Sequence, residues 1–506
     1  MNASLTSPDF IVTLPPPTPN GGLHIGHMAG PFLAADIFSK AAQARGQTVH
    51  VLSYSDTNQS YVRATAEKQN RDPKELASVW TQDILETLKL YDCQVDDYFE
   101  PHPASNGFVR DTLLRLYDQG VLKKKSYPFF YLPAQDVFLD EAGVSGLCPR
   151  CLDDCKCGIC EACGFPTRAD TLINPRATND PDLEIEMRHV EVLVLELENC
   201  REALRQFHSF SDAIRPKYRW LVDDALADPL PDFPVTVPGS WGIATDHPDL
   251  PGQVINAWPE LVLDLVYGYQ KVAPEGAPST RVVNFFGYDN SYFYGIVHVA
   301  LLQAAGLQRF LPHATMINEF YNLENAKFST SRGHLIWARD MAQNYPPDLI
   351  RFYTALTSPG LEEGNFSEID MREVIQRRLL TPYQEIAAAA PIQDETIEPS
   401  AMVRQVMQGI STRVSESLQL NRFNLRHAAE DALKGLSAIN SCLATGTLSR
   451  GELVLLLDCW SQSIAPLMPA TANSLRLMLV MDIIPETLPY EPVNHDTSQR
   501  AEEANV

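Results

Sequence analysis

The chain has 506 residues, enough for two to four domains with separate cores. With 45% hydrophobic and 21% charged residues it has the composition of a globular protein, and no stretch of about 18 apolar residues offers a membrane span. A net charge of −24 argues against broad, sequence-blind nucleic-acid binding, which needs clustered Lys and Arg, but leaves room for a local basic groove.

The N-terminal MNASLTSPDF lacks the basic stretch and apolar core of a signal peptide, which predicts a cytoplasmic protein. Residues 1–115 read as alternating strands and helices. Apolar runs at 10–14 and 49–53 are strand-like, 26–45 is helical, and 73–91 is an amphipathic helix with Leu76, Trp80, Ile84 and Leu88 at near-helical spacing. This alternation predicts a parallel sheet whose ligands sit beyond the strand C-termini. The polar cluster Tyr54-Ser55-Asp56-Thr57-Asn58-Gln59 falls at such an edge.

Residues 116–252 behave as an insertion, with Pro-rich turns at 228–238 and 248–251 and a predicted long helix over 190–207. Strand and helix signals resume over 253–318, with runs at 254–257 and 282–286 and an apolar helix at 293–305. Beyond Met371 strand signals vanish, and helices are expected at 372–390, 402–418, 428–443 and 452–479 before a polar tail at 494–506.

Three constellations carry chemistry. In Thr13–Met28, TLPPPTPNGGLHIGHM, a strand turns through glycine into a helix, which leaves free backbone N–H groups and a positive dipole end for a phosphate. His24 and His27, three residues apart, share one face and add donors. Of ten cysteines, six lie between Cys148 and Cys163, as two Cys-x-x-Cys knuckles, Cys148/Cys151 and Cys160/Cys163, with Cys155 and Cys157 between them. Such knuckles suit a structural zinc, and the intervening pair leaves open a different ligand choice or a second site. Cys93, Cys200, Cys442 and Cys459 are expected as buried small hydrophobes. The third is Lys327-Phe328-Ser329-Thr330-Ser331-Arg332-Gly333, where a lysine and small hydroxyls beside a glycine suit triphosphate oxygens.

His-Ile-Gly-His early and Lys-Phe-Ser-x-Ser about three hundred residues later resemble the paired motifs of class I aminoacyl-tRNA synthetases. Further pieces look most like the methionyl type: Pro17-x-x-Asn20-Gly, Phe138-Leu139 leading into Gly146-Leu147-Cys148, Gly252-x-Val254-x-x-Ala257-Trp258, and Phe286-Gly287-x-Asp289. The resemblance implies an α/β fold: a Rossmann-type parallel sheet split by a zinc-bearing insertion and followed by an α-helical bundle. On that pattern 1–115 and 253–318 are the two halves of the catalytic domain, and 116–252 is the connective insertion. Residues 319–373 would be a stem-contact-like region with the lysine loop, 374–493 an anticodon-domain-like bundle, and 494–506 the tail.

The implied chemistry is attack of an amino-acid carboxylate on the α-phosphate of ATP, giving an aminoacyl-adenylate and pyrophosphate, with ATP and Mg2+ as cofactors and zinc as a structural ion. By resemblance His24, His27, Lys327, Ser329 and Ser331 are catalytic. Asn20, Gly26, Gly287, Asp289 and Arg332 serve ATP, and Cys148, Cys151, Cys160 and Cys163 hold zinc. Pro16, Thr18, Asp56, Trp258, Leu261, Asn290 and Tyr294 form the amino-acid pocket, with Asp56 receiving the substrate ammonium.

The chain departs from that pattern in three places. Thr330 stands where the family's loop carries a second lysine, so one phosphate contact is missing; a lost transition-state donor costs on the order of 3 kcal/mol unless Arg332 replaces it. Thr18, Asn290 and Tyr294 stand where methionyl enzymes place a tyrosine, an apolar residue and a histidine, and Leu261-Val262-x-x-Leu265 replaces a small-Pro-x-x-Tyr stretch. Those exchanges suit a polar side chain, because unpaired buried polar groups penalise methionine. In the bundle, Pro382 interrupts the helix that normally faces the anticodon, the usual Pro-Trp segment is absent near 440–453, and Trp460 reads as a core residue.

These departures predict a specialised paralogue that activates a small-molecule amino acid and passes it to a small amine, hydroxylamine or carrier rather than to tRNA, with no membrane partner. The alternatives are a divergent methionine–tRNA ligase and a catalytically weak nucleotide-binding relic. The intact His24/His27 pair and Lys327 speak against the relic.

Overall fold

The structure, a computed structural model, describes residues 7–209, 215–273, 279–328, 333–392 and 398–490. They fall into two compact units: one runs up to Gly22 and continues through Gln47–Ile84 and Val95–Asn318, and the other comprises Leu23–Gly46, Leu85–Gln94 and the chain from Glu319 onward.

The first unit is built on a five-stranded sheet of β1 (Phe10–Thr13), β2 (Val49–Tyr54), β3 (Asp97–Phe99), β4 (Arg281–Gly287) and β5 (Ala314–Asn318), ordered β5-β4-β1-β2-β3. All four pairings are parallel, with Phe10 opposite both Val49 and Arg281. Both faces are covered, so β1 and the inner part of β4 are buried throughout, as a doubly wound sheet requires. Successive strands run outward from β1 in one direction to β3, and then in the other from β4 to β5. The order therefore reverses beside β1, the kind of point beyond whose strand C-termini open α/β sheets bind their ligands. Thr13, which closes β1, donates from Oγ1 to Asn284 Oδ1 of β4 at 2.9 Å across this point.

The helix Ala257–Val272 packs against β2, an element beyond those expected from the sequence. At Gly268 a Cβ would come within 2.6 Å of Leu52 Cδ2, so only glycine permits that approach. The segment expected as a strand at 254–257 divides accordingly, into the strand Gln253–Ile255 and the start of this helix, capped by Asn256 Oδ1 on Trp258 N.

Between the sheet halves lies the insertion. The helix expected over 190–207 is corrected here: Glu186–Glu196 is a strand, paired antiparallel with Lys123–Leu132, and only Arg201–Ser209 is α-helical. The run VEVLVLE is rich in β-branched residues and Val192–Leu195 are buried on both faces, a pattern that periodicity alone does not separate from a buried helix. A smaller three-stranded sheet (Val144–Leu147, Asp154–Lys156, Ile173–Ala177) carries the cysteine knuckles.

In the second unit the helix expected at 26–45 is broken into a short turn Ile25–His27, a wide turn Met28–Phe32 in which Gly30 leaves helical geometry beside Pro31, and the helix Leu33–Ala44. A three-stranded sheet of Tyr321–Leu323, Ala326–Lys327 and Gly364–Phe366 precedes the helices. The helical run 368–388 widens into a π-turn, Gln376–Leu380, just before Pro382, which removes one backbone donor from the ladder. The single helix expected at 452–479 is two, Arg450–Ile464 and Pro469–Val480, parted at Pro466 and Pro469. Trp460 is fully buried and donates to Ala432 O at 2.8 Å, a core role. Cys93 and Cys442 are buried as expected, whereas Cys200 and Cys459 are only half-buried. No helix among the described residues is long and apolar enough to cross a membrane. The tail from 494 lies outside the described residues.

Candidate active site

In the second unit, His24 caps the turn that carries its own motif. Its Nδ1 accepts the backbone N–H of His27 at 3.3 Å, and His27 Nδ1 accepts that of His24 at 3.3 Å. Each Nδ1 is thereby an acceptor, so a neutral ring carries its proton on Nε2. The rings stack 3.6 Å apart, and His24 stacks on Phe328 of the lysine segment at 4.7 Å. Gly26 makes this possible: a Cβ there would lie 2.9 Å from His24 Cε1 and 3.1 Å from Phe328 Cδ2.

Loss of hydration and the neighbouring ring push the His24 imidazole far down, and desolvation lowers His27 as well. His27 keeps an exposed face, so water offsets part of that push, but both shifts favour neutral rings at neutral pH. The backbone of Ile25 bonds to Ile336 O at 3.0 Å, and Ala338 N to Leu23 O at 2.8 Å, tying the turn to an open cleft lined by Gly333, Leu335, Ile336, Trp337 and Asp340. Lys327 is exposed at the end of the short strand Ala326–Lys327, its Nζ 4.9 Å from the Phe320 ring. Ser329, Thr330, Ser331 and Arg332 lie outside the described residues.

In the first unit, the strand C-termini collect the remaining predicted residues. Pro16 and Thr18 follow β1, and the backbone of Asp56, two residues beyond β2, donates to Pro17 O at 3.1 Å. Asn20 is half-buried, its Nδ2 3.4 Å from Thr65 Oγ1. Gly287 ends β4, where a Cβ would come within 2.5 Å of Asp289 Oδ1, and Asn290 Nδ2 donates to that same oxygen at 3.1 Å. Tyr294 is buried and stacks on Phe286, 4.0 Å between centroids. On the Ala257–Val272 helix, Trp258 lies flat against Phe293 at 3.5 Å and donates from Nε1 to Glu141 Oε2 at 3.4 Å; Leu261 is buried beyond it.

Sequence reasoning missed Glu260 and Asp264 on this helix, both fully buried. Asn58 Nδ2 donates to Glu260 Oε1 at 2.6 Å, while Glu260 Oε2, both oxygens of Asp264, Asp56 Oδ1 and the Tyr54 hydroxyl have no partner. Burial and mutual repulsion raise the group: Asp56 to about 8, chiefly by desolvation and then by Asp264, and Asp264 to about 7 by desolvation. Glu260 rises for the same reasons, and Glu141, part of the same field, rises to about 8. The signal in the sequence is two acids at helical spacing inside an otherwise apolar run, PELVLDLV.

The four knuckle cysteines converge within 4.8 Å of one another, with Sγ–Sγ distances of 3.7 Å for Cys148–Cys163 and 3.5 Å for Cys151–Cys160. Tetrahedral Zn–S bonds of about 2.3 Å place sulfurs about 3.8 Å apart, so the four fit a zinc ion. Cys155 and Cys157 are not part of the four-sulfur group.

Residues 10–388 match the model of the family tRNA synthetases class I (M). Methionine--tRNA ligase of Pyrococcus abyssi is 28% identical over 400 residues, 73% of this chain and 55% of the relative, and that of Roseiflexus sp. is 27% identical over 405 residues, 75% and 67%. The chain thus spans about half the length of the first of these curated relatives. Mycobacterium tuberculosis methionyl-tRNA synthetase bound by methionyl-adenylate superposes with a TM-score of 0.72 over 96% of this chain and 99% of the other, at 16% identity, which shows a shared fold. With a family match covering most of its length, from β1 to the end of the Pro382 helix, the chain belongs to the class I tRNA synthetase (M) family.

Proposed function

We propose that the protein activates an amino acid with ATP, forming an aminoacyl-adenylate and pyrophosphate, in a pocket remodelled away from methionine. The observation that carries this reading is the reciprocal His24/His27 turn, whose two Nε2–H donors remain available for phosphate oxygens. The carboxylate oxygen of the substrate attacks the α-phosphorus, and the bond from that phosphorus to the bridging oxygen of the β-phosphate breaks. An in-line displacement of this kind asks the protein for position and charge stabilisation. His24 and His27 serve the phosphates, and Gly26 admits their stacked rings. Lys327, Ser329 and Ser331 serve the departing pyrophosphate, with Arg332 in place of the lysine that Thr330 lacks. Asn20, Gly287 and Asp289 serve the nucleotide, which arrives as its Mg2+ complex.

Asp56 receives the α-ammonium, its carboxylate restored by the incoming charge. Pro16, Thr18, Trp258, Leu261, Asn290 and Tyr294 line the side-chain end. Asn290 and Tyr294 are polar, and their polarity favours a substrate other than methionine. Zinc, held by Cys148, Cys151, Cys160 and Cys163, supplies only stability, because four sulfurs leave no open coordination position.

The acceptor we propose is a small amine, hydroxylamine or carrier. Supporting this, Pro382 and the π-turn reshape the first bundle helix, Arg378 there is held by Glu430 at 2.7 and 2.9 Å, and Trp460 is enclosed in the core. The names of the relatives favour a second reading, a methionine–tRNA ligase. ATP–pyrophosphate exchange scanned across amino acids, with a parallel tRNA-charging assay, separates the two. Exchange with a polar amino acid and no charging is the expected result. Methionine-dependent exchange with charging of methionine tRNA supports the second reading, and no exchange with any amino acid contradicts both.

A further inference from the structure

We infer that Glu260 and Asp264 form a cation subsite in this pocket, so that the substrate is an α-amino acid bearing a second positive charge, an amine, amidine or guanidine, in its side chain. The inference rests on the proposed amino-acid activation and specifies its substrate class.

The two residues are one helical turn apart on the Ala257–Val272 helix, so their carboxyls share a face. Both are completely buried, and the groups they act on are Asp56, Asn58 and Tyr54. Among the described residues no Lys, Arg or His forms an ion pair with either of them or with Asp56. Unpaired charge in such surroundings is costly, so each carboxyl either keeps a proton or receives a cation.

One substrate ammonium accounts for Asp56 alone. Two further carboxyls remain, and they are left with acceptor capacity: Asp264 has two unpartnered oxygens and Glu260 has one. A second kind of group points the same way. The Tyr54 hydroxyl, fully buried and without a partner, lies in the field of Asp56, Asp264 and Glu260. An ammonium, with three donors and no acceptor, satisfies carboxylate and phenol oxygens together. A neutral apolar side chain satisfies none of them and leaves the penalty in place.

The test is calorimetric titration of the full chain, without ATP, with L-ornithine, L-lysine, Nε-acetyl-L-lysine, L-norleucine and L-methionine. Ornithine or lysine is expected to bind at least tenfold more tightly than norleucine, acetylation is expected to abolish lysine's advantage, and Asp264→Asn to reduce the preference at least tenfold. Equal or tighter binding of norleucine or methionine overturns the subsite, as does an undiminished preference in Asp264→Asn or the absence of binding by every amino acid. Because ATP is omitted, the two readings fail separately. Dibasic binding without pyrophosphate exchange removes the activation reading and keeps the subsite, whereas exchange driven equally by neutral amino acids does the reverse.

Discussion

His24 Nδ1 and the backbone N–H of His27 are joined at 3.3 Å, and the bond is returned from His24 N–H to His27 Nδ1 at the same distance. One pair of side chains therefore caps the turn and fixes both imidazole tautomers. His27→Ala should reduce pyrophosphate exchange by about 10²–10³-fold, the usual effect of removing a transition-state donor. Its stability cost should be only about 1 kcal/mol, that of a lost cap. Exchange rate, urea midpoint and zinc content measured together check this; parallel loss of all three would indicate misfolding instead.

The carboxyl cluster makes stability depend on pH in a defined direction. A carboxyl whose folded pKa is raised holds its proton more tightly when folded. Its contribution is complete below the ordinary value of 3.8 and is lost as pH rises toward 7, where Asp264 titrates. Facing it are Asp56 and Glu260, both also raised, and the Tyr54 phenol. Asp264→Asn should therefore stabilise the protein at pH 8 by at least about 1 kcal/mol, the equivalent of one pKa unit, with little gain at pH 4. Buried His298, lowered to about 4, acts oppositely: its contribution is complete above about 6.5 and is lost on acidification. The comparison of variant with parent at each pH isolates Asp264.

These two sites were unequally legible in the sequence. The histidine turn and the knuckles are local, their chemistry set by spacings of three residues, so composition and order suffice. The place of Asp56 was legible because it follows a strand, and open parallel sheets gather polar residues at their strand C-termini. Glu260 and Asp264 were not, because the Ala257–Val272 helix is apolar on several sides and its orientation comes from packing against β2. The Glu186–Glu196 strand was hidden for a related reason: a segment buried on both faces loses the alternation that marks a strand.

Zinc should be present at one ion per chain, read by elemental analysis. Cys160→Ser should lower that content and loosen the Val144–Leu147 sheet, seen as faster amide exchange there, whereas Cys155→Ser should keep the ion. Loss of zinc in Cys155→Ser would change the ligand assignment.

Arg351 is completely buried in the second unit, bound to Asp36 Oδ2 at 2.7 Å and to the carbonyls of Tyr91, Pro466 and Leu467 at 2.8 to 3.2 Å. It joins the helix that follows the histidine turn to the break between the last two bundle helices. Arg351→Met should destabilise the chain by about 1–3 kcal/mol, because it leaves Asp36 Oδ2 and three carbonyls without this donor while Lys40 and the Gln94 N–H still hold Asp36 Oδ1. The double variant with Asp36→Asn should recover part of that loss in urea unfolding.

Thr330→Lys should raise the adenylation rate about tenfold if the missing phosphate contact limits the reaction, well within the worth of one charge-assisted donor. An unchanged single-turnover rate would mean that Arg332 already fills the role.

The proposed reaction makes an adenylate of an amino acid other than methionine. Hydroxylamine added to the protein with ATP and a full amino-acid mixture intercepts any such adenylate as a hydroxamate, whose mass identifies the amino acid. A non-methionine hydroxamate is expected from the parent protein and none from His27→Ala; methionine hydroxamate alone, or no hydroxamate from the parent, would contradict activation of another amino acid.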